Sequence, residues 1–220
     1  LTMDVGSTPG TKYTKDYQSG ALSFEIIRKG KKLISNCGYY NKINENLNKI
    51  SKSTASQSTL SIDDHSSCKI NRLSLVDKGL RIIKKNIVYE KNYWKINSAH
   101  DGFLKKFNLI YEREIEYFPQ KFKLIGNDKI IGKKNLPNLK FDVRFHLDPR
   151  AKVMKTQDNK SILIEIGNEG WKFNCENYEI EIDNGLYFGK KNTYTDNQNI
   201  FITGIINSQF NNIKWELNKI

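Results

Sequence analysis

Between Tyr17 and Tyr40 the chain alternates: Leu22, Phe24 and Ile26 are separated by smaller or polar residues, and Lys29-Gly30-Lys31 supplies turn chemistry before Leu33-Ile34 resumes an apolar run. This pattern predicts a β-hairpin. Leu60-Ser-Ile predicts another strand, and beyond Ile82 strand signals recur at short intervals. They cover Asn86 to Ser98, Leu109 to Tyr117, Lys121 to Ile125 ending on Gly126-Asn127-Asp128, and Leu139 to Leu147. Ser161 to Ile166, Gly170 to Cys175, Tyr178 to Ile182, Asn199 to Ile206 and Ile213 to Leu217 follow. Glu112, Glu114 and Glu116 occupy one phase of their strand and are expected on a solvated face. Only the polar connection from Asn41 to Ser58 carries a weak helical spacing, at Ile43, Leu47 and Ile50. Short strands joined by Gly, Asn and Asp turns, with no repeat of fixed period, predict an all-β fold built as an antiparallel β-sandwich.

Composition agrees with a folded core. Of the 220 residues, 38% are hydrophobic and 11% aromatic, too many for a disordered polycation. The net charge of +12 suits an anionic partner, whether acidic polysaccharide, nucleic acid or a phospholipid surface. The lysines are scattered, however, so the same charge also fits a solvated surface. With no basic helix or aromatic-basic RNA signature, nucleic acid is not an expected partner. No apolar run approaches the roughly 20 residues that a membrane-crossing helix needs, so no membrane span is expected. Cys37, Cys68 and Cys175 are too few and too far apart for a disulfide framework or a CxxC zinc site. Asp63-Asp64-His65-Ser66-Ser67-Cys68 is read as a turn held by local Asp and Ser hydrogen bonds, with metal binding as the alternative.

Several blocks carry a family likeness. Gly20-Ala-Leu-Ser-Phe-Glu25, the lysine-rich turn and Leu33-Ile-Ser-Asn-Cys-Gly38 come first, followed by Ser53-Thr-Ala-Ser-Gln-Ser-Thr-Leu60 and Ala99-His-Asp-Gly-Phe103. Tyr111-Glu-Arg-Glu114, Leu124-Ile-Gly-Asn-Asp128, Val143-Arg-Phe-His-Leu-Asp-Pro149, Gly170-Trp-Lys-Phe173 and Lys214-Trp-Glu-Leu217 continue the series. In this order they resemble the C-terminal β-domain of the heparinase II/III family of polysaccharide lyases. The resemblance spans nearly the whole chain. It implies a supersandwich-like β-domain over residues 16–220, with residues 1–15 as a linker from an upstream helical domain. The chain opens on Leu1, not Met, which fits an expected upstream segment.

Lyases of this family act by β-elimination on acidic, uronate-containing glycans, which requires neutralisation of the uronate carboxylate, a base for the C5 proton and an acid for the leaving oxygen. By resemblance, the family's metal-binding His, Asp and His fall at Gln18, Asn36 and Gln57. Neutral amides are poor zinc ligands, so no metal or other cofactor is expected, and the three amides are expected to hydrogen-bond one another. The family's catalytic histidine position falls at Asp16, the candidate proton-transfer group. His100, Tyr39 and Tyr40 are candidates for holding substrate, with structural hydrogen bonding or corner packing as the other readings; His146 lies on the polar phase of its strand. The resemblance implies a polysaccharide-lyase-like protein of the cell envelope or periplasm, with acidic polysaccharide and the upstream helical domain as partners, and this chain inactive alone. The alternative is a non-catalytic carbohydrate-binding or structural β-sandwich module.

Overall fold

The structure, a computed structural model, describes residues 1–41, 44–132, 138–189 and 193–220. In chain order the strands begin with β1 (Thr2–Met3), β2 (Phe24–Arg28), β3 (Lys31–Ser35), β4 (Leu60–Ile62), β5 (Lys69–Ile70) and β6 (Val76–Lys78). Next come β7 (Ile82–Glu90), β8 (Tyr93–His100), β9 (Leu109–Phe118), β10 (Lys123–Gly132), β11 (Leu139–Leu147) and β12 (Lys152–Lys155). The chain closes with β13 (Ser161–Ile166), β14 (Glu169–Cys175), β15 (Ile180–Tyr187), β16 (Thr195–Ile206) and β17 (Phe210–Lys219). Among the described residues, the α-helices α1 (Glu45–Lys52) and α2 (Leu104–Phe107) sit in the connections.

The fold is all-β. One sheet runs β1-β2-β3-β11-β16-β15, with β4 also paired to β11; the other runs β12-β13-β14-β17-β10-β9-β8-β7, and β5 and β6 form a small pair of their own. These strands pair antiparallel. The two large sheets bury their apolar phases in one core: Phe24, Leu33, Phe141, Val143 and Phe145 from the first share it with Tyr111, Ile115, Leu124, Phe173 and Trp215 from the second. Each such side chain contributes about 1.5–3 kcal/mol by leaving water. At the centre, Phe24 stacks on Trp215 with centroids 5.6 Å apart while Phe145 meets the indole edge-on at 4.9 Å.

The opening hairpin is present as β2–β3, with Lys29 and Gly30 at φ 47 and 72 in its turn. The weak helical spacing becomes α1, because the Asn44 side chain accepts from the Asn46 and Leu47 backbone N–H groups at its start. Glu45 in the first turn and Lys49 and Lys52 in the last suit the helix dipole. Ile43 lies outside the described residues.

Two expected boundaries differ. Asn86 to Ser98 is not one strand but parts of β7 and β8, which pair Tyr89 with Trp94 across a turn. The apolar phase shifts from Ile87 and Tyr89 to Trp94 and Ile96, and that change of parity is the local mark of the reversal. Gly126-Asn127-Asp128, expected as a turn, lies within β10. Gly126 stands opposite Trp215, and a Cβ there would lie 2.0 Å from the indole; glycine is the residue that lets the ring lie over the strand. Residues 1–15, expected as a linker, are laid onto the sandwich: β1 pairs with β2, and Leu1, Met3 and Val5 pack against the core.

The core also contains charge. Arg113, fully buried, donates from Nε and Nη2 to the two carboxylate oxygens of Asp128 at 2.6 and 3.0 Å. Tyr111 Oη and Trp215 Nε1 donate to the same carboxylate at 2.5 and 2.8 Å. Burial opposes the Arg113 charge, but Asp128 and Tyr111 outweigh it and raise the pKa. The other side of the guanidinium crosses the sandwich, where Nη1 donates to the carbonyls of Leu22 and Ser58 at 3.0 and 2.6 Å. Outside, Glu112 faces away from this core but is covered by Lys84 and Lys129 and receives a bond from Asn97.

Candidate functional site

Three connections converge above Arg113: residues 14–23, 36–40 and 51–59. Their serines and threonines explain the convergence, because the hydroxyls bind backbone carbonyls that no strand partner satisfies. Thr54 Oγ1 donates to Ser19 O at 2.7 Å, Ser58 Oγ to Ser35 O at 2.5 Å and Thr59 Oγ1 to Ala21 O at 3.1 Å. Leu22 has φ 61, an uncommon conformation for a residue with a side chain, and its carbonyl is one that Arg113 holds.

This framework brings Gln18, Asn36 and Gln57 into one neighbourhood. Gln57 Nε2 donates to Gln18 Oε1 at 3.4 Å and to Ser51 O at 3.3 Å. Asn36 joins through intermediaries: its Oδ1 accepts from Ser58 N at 2.8 Å and its Nδ2 donates to Ser23 Oγ at 3.2 Å. Gly20 sits between, since a Cβ there would lie 3.2 Å from both Gln57 Oε1 and Ser23 Oγ. The donor set does not fit zinc. It has no imidazole, thiolate or carboxylate, and its amide groups already serve one another and the backbone. Among the described residues no group of three His, Cys, Asp or Glu side chains is placed to hold a metal ion. Asp63, Asp64 and His65 form a turn, with both aspartates at positive φ and His65 Nδ1 2.5 Å from Asp63 O.

Beside the amides, the C-terminal turn of α1 carries the second half of the site. Ser51, whose carbonyl receives the Gln57 amide, also accepts the Tyr40 N–H at 3.1 Å, so one residue ties both halves together. Tyr39 Oη donates to Asp16 Oδ1 at 2.9 Å. Lys52, only 1% exposed, has its ammonium 5.6 Å above the Tyr39 ring, donating to Ser74 O at 3.2 Å and to Lys15 O. Burial lowers the Lys52 pKa, countered in part by Asp16. Burial, then the bond to Asp16, raises that of Tyr39 and keeps the phenol protonated. Tyr39 and Lys52 line a cavity of about 260 Å³ together with Lys15, Lys49 and Arg72, against the single carboxylate of Glu45. Such a cavity can hold an anion by its cations, beside a phenol whose proton is held by Asp16.

The remaining candidates lie elsewhere. Tyr40 is half-buried with its ring edge-on to Phe188. His100 is 1% exposed, packed against Phe103 and Tyr111, and its Nδ1 accepts from Gly102 N at 3.1 Å. Burial pushes its pKa down to about 4, so it is a neutral packing group beneath the surface. His146 is buried too, with Nε2 donating to Ala55 O at 2.9 Å and Nδ1 3.2 Å from Cys37 Sγ. The pair resembles a thiol–imidazole dyad but carries no charge: burial takes His146 down to about 4 and Cys37 up to about 12. Sequence reasoning missed Lys52 and Arg113. For Arg113 a signal existed, since it shares the phase of Tyr111 and Ile115 and so had to point inward.

A family model described as "Heparinase II/III-like, C-terminal" matches residues 1–216. The heparan sulfate lyase HepC from Pedobacter heparinus superposes with a TM-score of 0.75 at 13% identity, over 92% of this chain and 30% of that one. A heparinase III, the BT4657 gene product, gives a TM-score of 0.72 at 12% identity over the same shares. At such identities the likeness is one of fold, and this chain spans about a third of the length of either protein. No curated protein sequence matches the chain.

Proposed function

Because the chain belongs to the heparinase II/III-like C-terminal family, we propose that it is the β-domain of a polysaccharide-lyase-like protein of the cell envelope or periplasm. In this reading it holds acidic, uronate-containing glycans for β-elimination and does not complete the reaction alone. The observation that carries the reading is the Asp16–Tyr39–Lys52 cluster at the mouth of a cation-lined cavity, next to Gln18 and Gln57. Lys15, Lys49 and Arg72 would neutralise the uronate carboxylate, which is what acidifies the C5 proton. Tyr39, held protonated, would turn its single O–H from Asp16 to the leaving glycosidic oxygen and give up that proton, with Asp16 holding the phenol in place beforehand. The base for C5 is assigned to the upstream helical domain that the family implies. The three carboxamides would do without zinc, and elemental analysis of purified protein is expected to find no stoichiometric metal.

A second reading, a non-catalytic glycan-binding module, is favoured by the amides at 18, 36 and 57, where the resemblance puts the family's metal ligands, and by the aspartate at 16, where it puts the catalytic histidine. One assay separates the two. Formation of unsaturated uronate, followed by its absorbance on heparan, alginate and related uronans, is expected from the longer gene product and not from this chain, which should bind without turnover. Binding without product by both forms would establish the module instead. Product from this chain alone, or no glycan binding by either, would defeat the proposal.

A further inference from the structure

Three surface cavities adjoin in a row. The cavity beside Tyr39 shares Lys49, Lys52, Arg72 and Ser74 with a second of about 320 Å³, and the second shares Ser66 and Cys68 with a third of about 980 Å³ walled by Phe103 and Phe107. Nine lysines and arginines line the row, against the carboxylates of Glu45 and Asp101. Both carboxylates are already engaged, Glu45 with Lys49 at 3.7 Å and Asp101 with Arg81 at 2.9 Å.

Two other clusters of cations are matched by carboxylates. On the outer face of the β8–β9–β10 region, Glu112, Glu114 and Glu116 take up Lys84, Lys95 and Lys129, and Glu169 takes up Arg28, Lys29 and Lys219. In the row, Lys78, Lys105 and Lys106 have no ion-pair partner among the described residues. Among the described residues, lysines without an ion-pair partner also occur outside the row, Lys85, Lys91, Lys160 and Lys172 among them; what sets the row apart is that nine cations line adjoining cavities with only two carboxylates.

We propose that the row is a single track for an extended acidic oligosaccharide, in which the Phe103–Phe107 pocket is a second subsite that seats a carboxylate or sulfate at a distance from Tyr39. The inference rests on the glycan reading above and extends it from one cavity to three. A volume of about 980 Å³ is within the range of ligand sites, and an apolar wall under a cationic rim suits a sugar whose C–H faces are apolar and whose substituents are anionic. Nucleic acid fits less well. Lys106 already lies over the Phe107 ring at 5.0 Å and His65 meets it edge-on at 5.5 Å, which leaves a base little aromatic face on which to stack.

The test is calorimetric titration of this chain with heparan-type tetrasaccharide and dodecasaccharide. Wild type is compared with Lys105→Glu/Lys106→Glu, with Lys49→Glu/Arg72→Glu, and with Lys160→Glu/Lys172→Glu as a pair outside the row. Lys105 and Lys106 are exposed, so their reversal spares the core, and Lys105→Gln/Lys106→Gln provides a milder form of the same change. The wild type is expected to bind the dodecasaccharide about tenfold more tightly than the tetrasaccharide, and reversal at either end of the row to abolish that gain. The pair outside the row should leave it within about twofold. If Lys105→Glu/Lys106→Glu keeps the full gain while Lys49→Glu/Arg72→Glu loses binding, the track is wrong and the single-cavity reading stands. If neither oligosaccharide binds wild type, the glycan reading itself fails. Equally tight binding of single-stranded DNA, lost in the same variants, would make the row a general polyanion surface and overturn the assignment to glycan.

Discussion

Leu22 and Ser58 offer their carbonyls inward to Arg113, while next to them Ser23 and Gln57 turn outward to Asn36 and Gln18. One layer of backbone thus separates two polar clusters of opposite kind. The inner one is ionic, closed to water, and supplies donors to both carboxylate oxygens of Asp128. The outer one is neutral: Gln57 meets Gln18 at 3.4 Å, and Asn36 meets Ser23 at 3.2 Å. The difference shows where charge is retained in this fold. A buried ion needs partners all round, and Arg113 makes four hydrogen bonds, two on each side; neutral carboxamides need far less.

The comparison is sharpest at Asp128. Asp128→Ala would strand a fully buried guanidinium, and the expected loss is about 3–5 kcal/mol in urea unfolding. A loss under about 1 kcal/mol would mean that the inner cluster is not the keystone described. Acid should attack both clusters next, because His100 packs against Tyr111 and His146 donates to Ala55 O near the amides. Both have folded pKa values near 4, below the ordinary 6.5. The unfolded chain therefore binds their protons first: the stability they protect is intact above about pH 6.5, falls as the pH drops, and stops falling below about pH 4. The slope is up to about 1.4 kcal/mol per pH unit for each histidine, and urea midpoints that do not change between pH 7 and 5 would refute it.

Gly126→Ala tests the packing over the inner cluster. The added methyl meets the Trp215 indole, whose Nε1 bonds Asp128, so a loss of about 1–3 kcal/mol and a changed near-ultraviolet tryptophan spectrum are expected. The smallest change in stability is expected outside. Gln18→His/Asn36→Asp/Gln57→His should alter metal-free stability by about 1 kcal/mol or less, yet confer stoichiometric zinc binding with a rise in Tm. If the triple variant takes up no zinc, the three positions do not have the geometry of a metal site.

Much of the fold was legible along the chain. The β2–β3 hairpin, β11 with its inward Phe141, Val143 and Phe145, and the Asp63–His65 turn follow from period-two alternation and turn chemistry. The amides at 18, 36 and 57 could be placed only because the surrounding blocks resemble a family; nothing in the spacing of three polar residues signals a site. Lys52 gave no signal, since a lysine at the end of an amphipathic helix is ordinarily solvated, and its burial arises from Lys15, Tyr39 and Ser74, which the helix does not control.

By itself, the sequence determined which residues could share a strand face and which turns could close, because side-chain alternation and φ preferences act within a few residues. It did not determine what each face would meet. Whether Gly126-Asn127-Asp128 turned or ran on was decided by Trp215, and whether Arg113 sought water or the core was decided by Asp128 and by carbonyls 91 and 55 residues away. Charge burial is paid for by partners that are distant in the chain, so only the closed sandwich, with those partners in place, selected between the two outcomes.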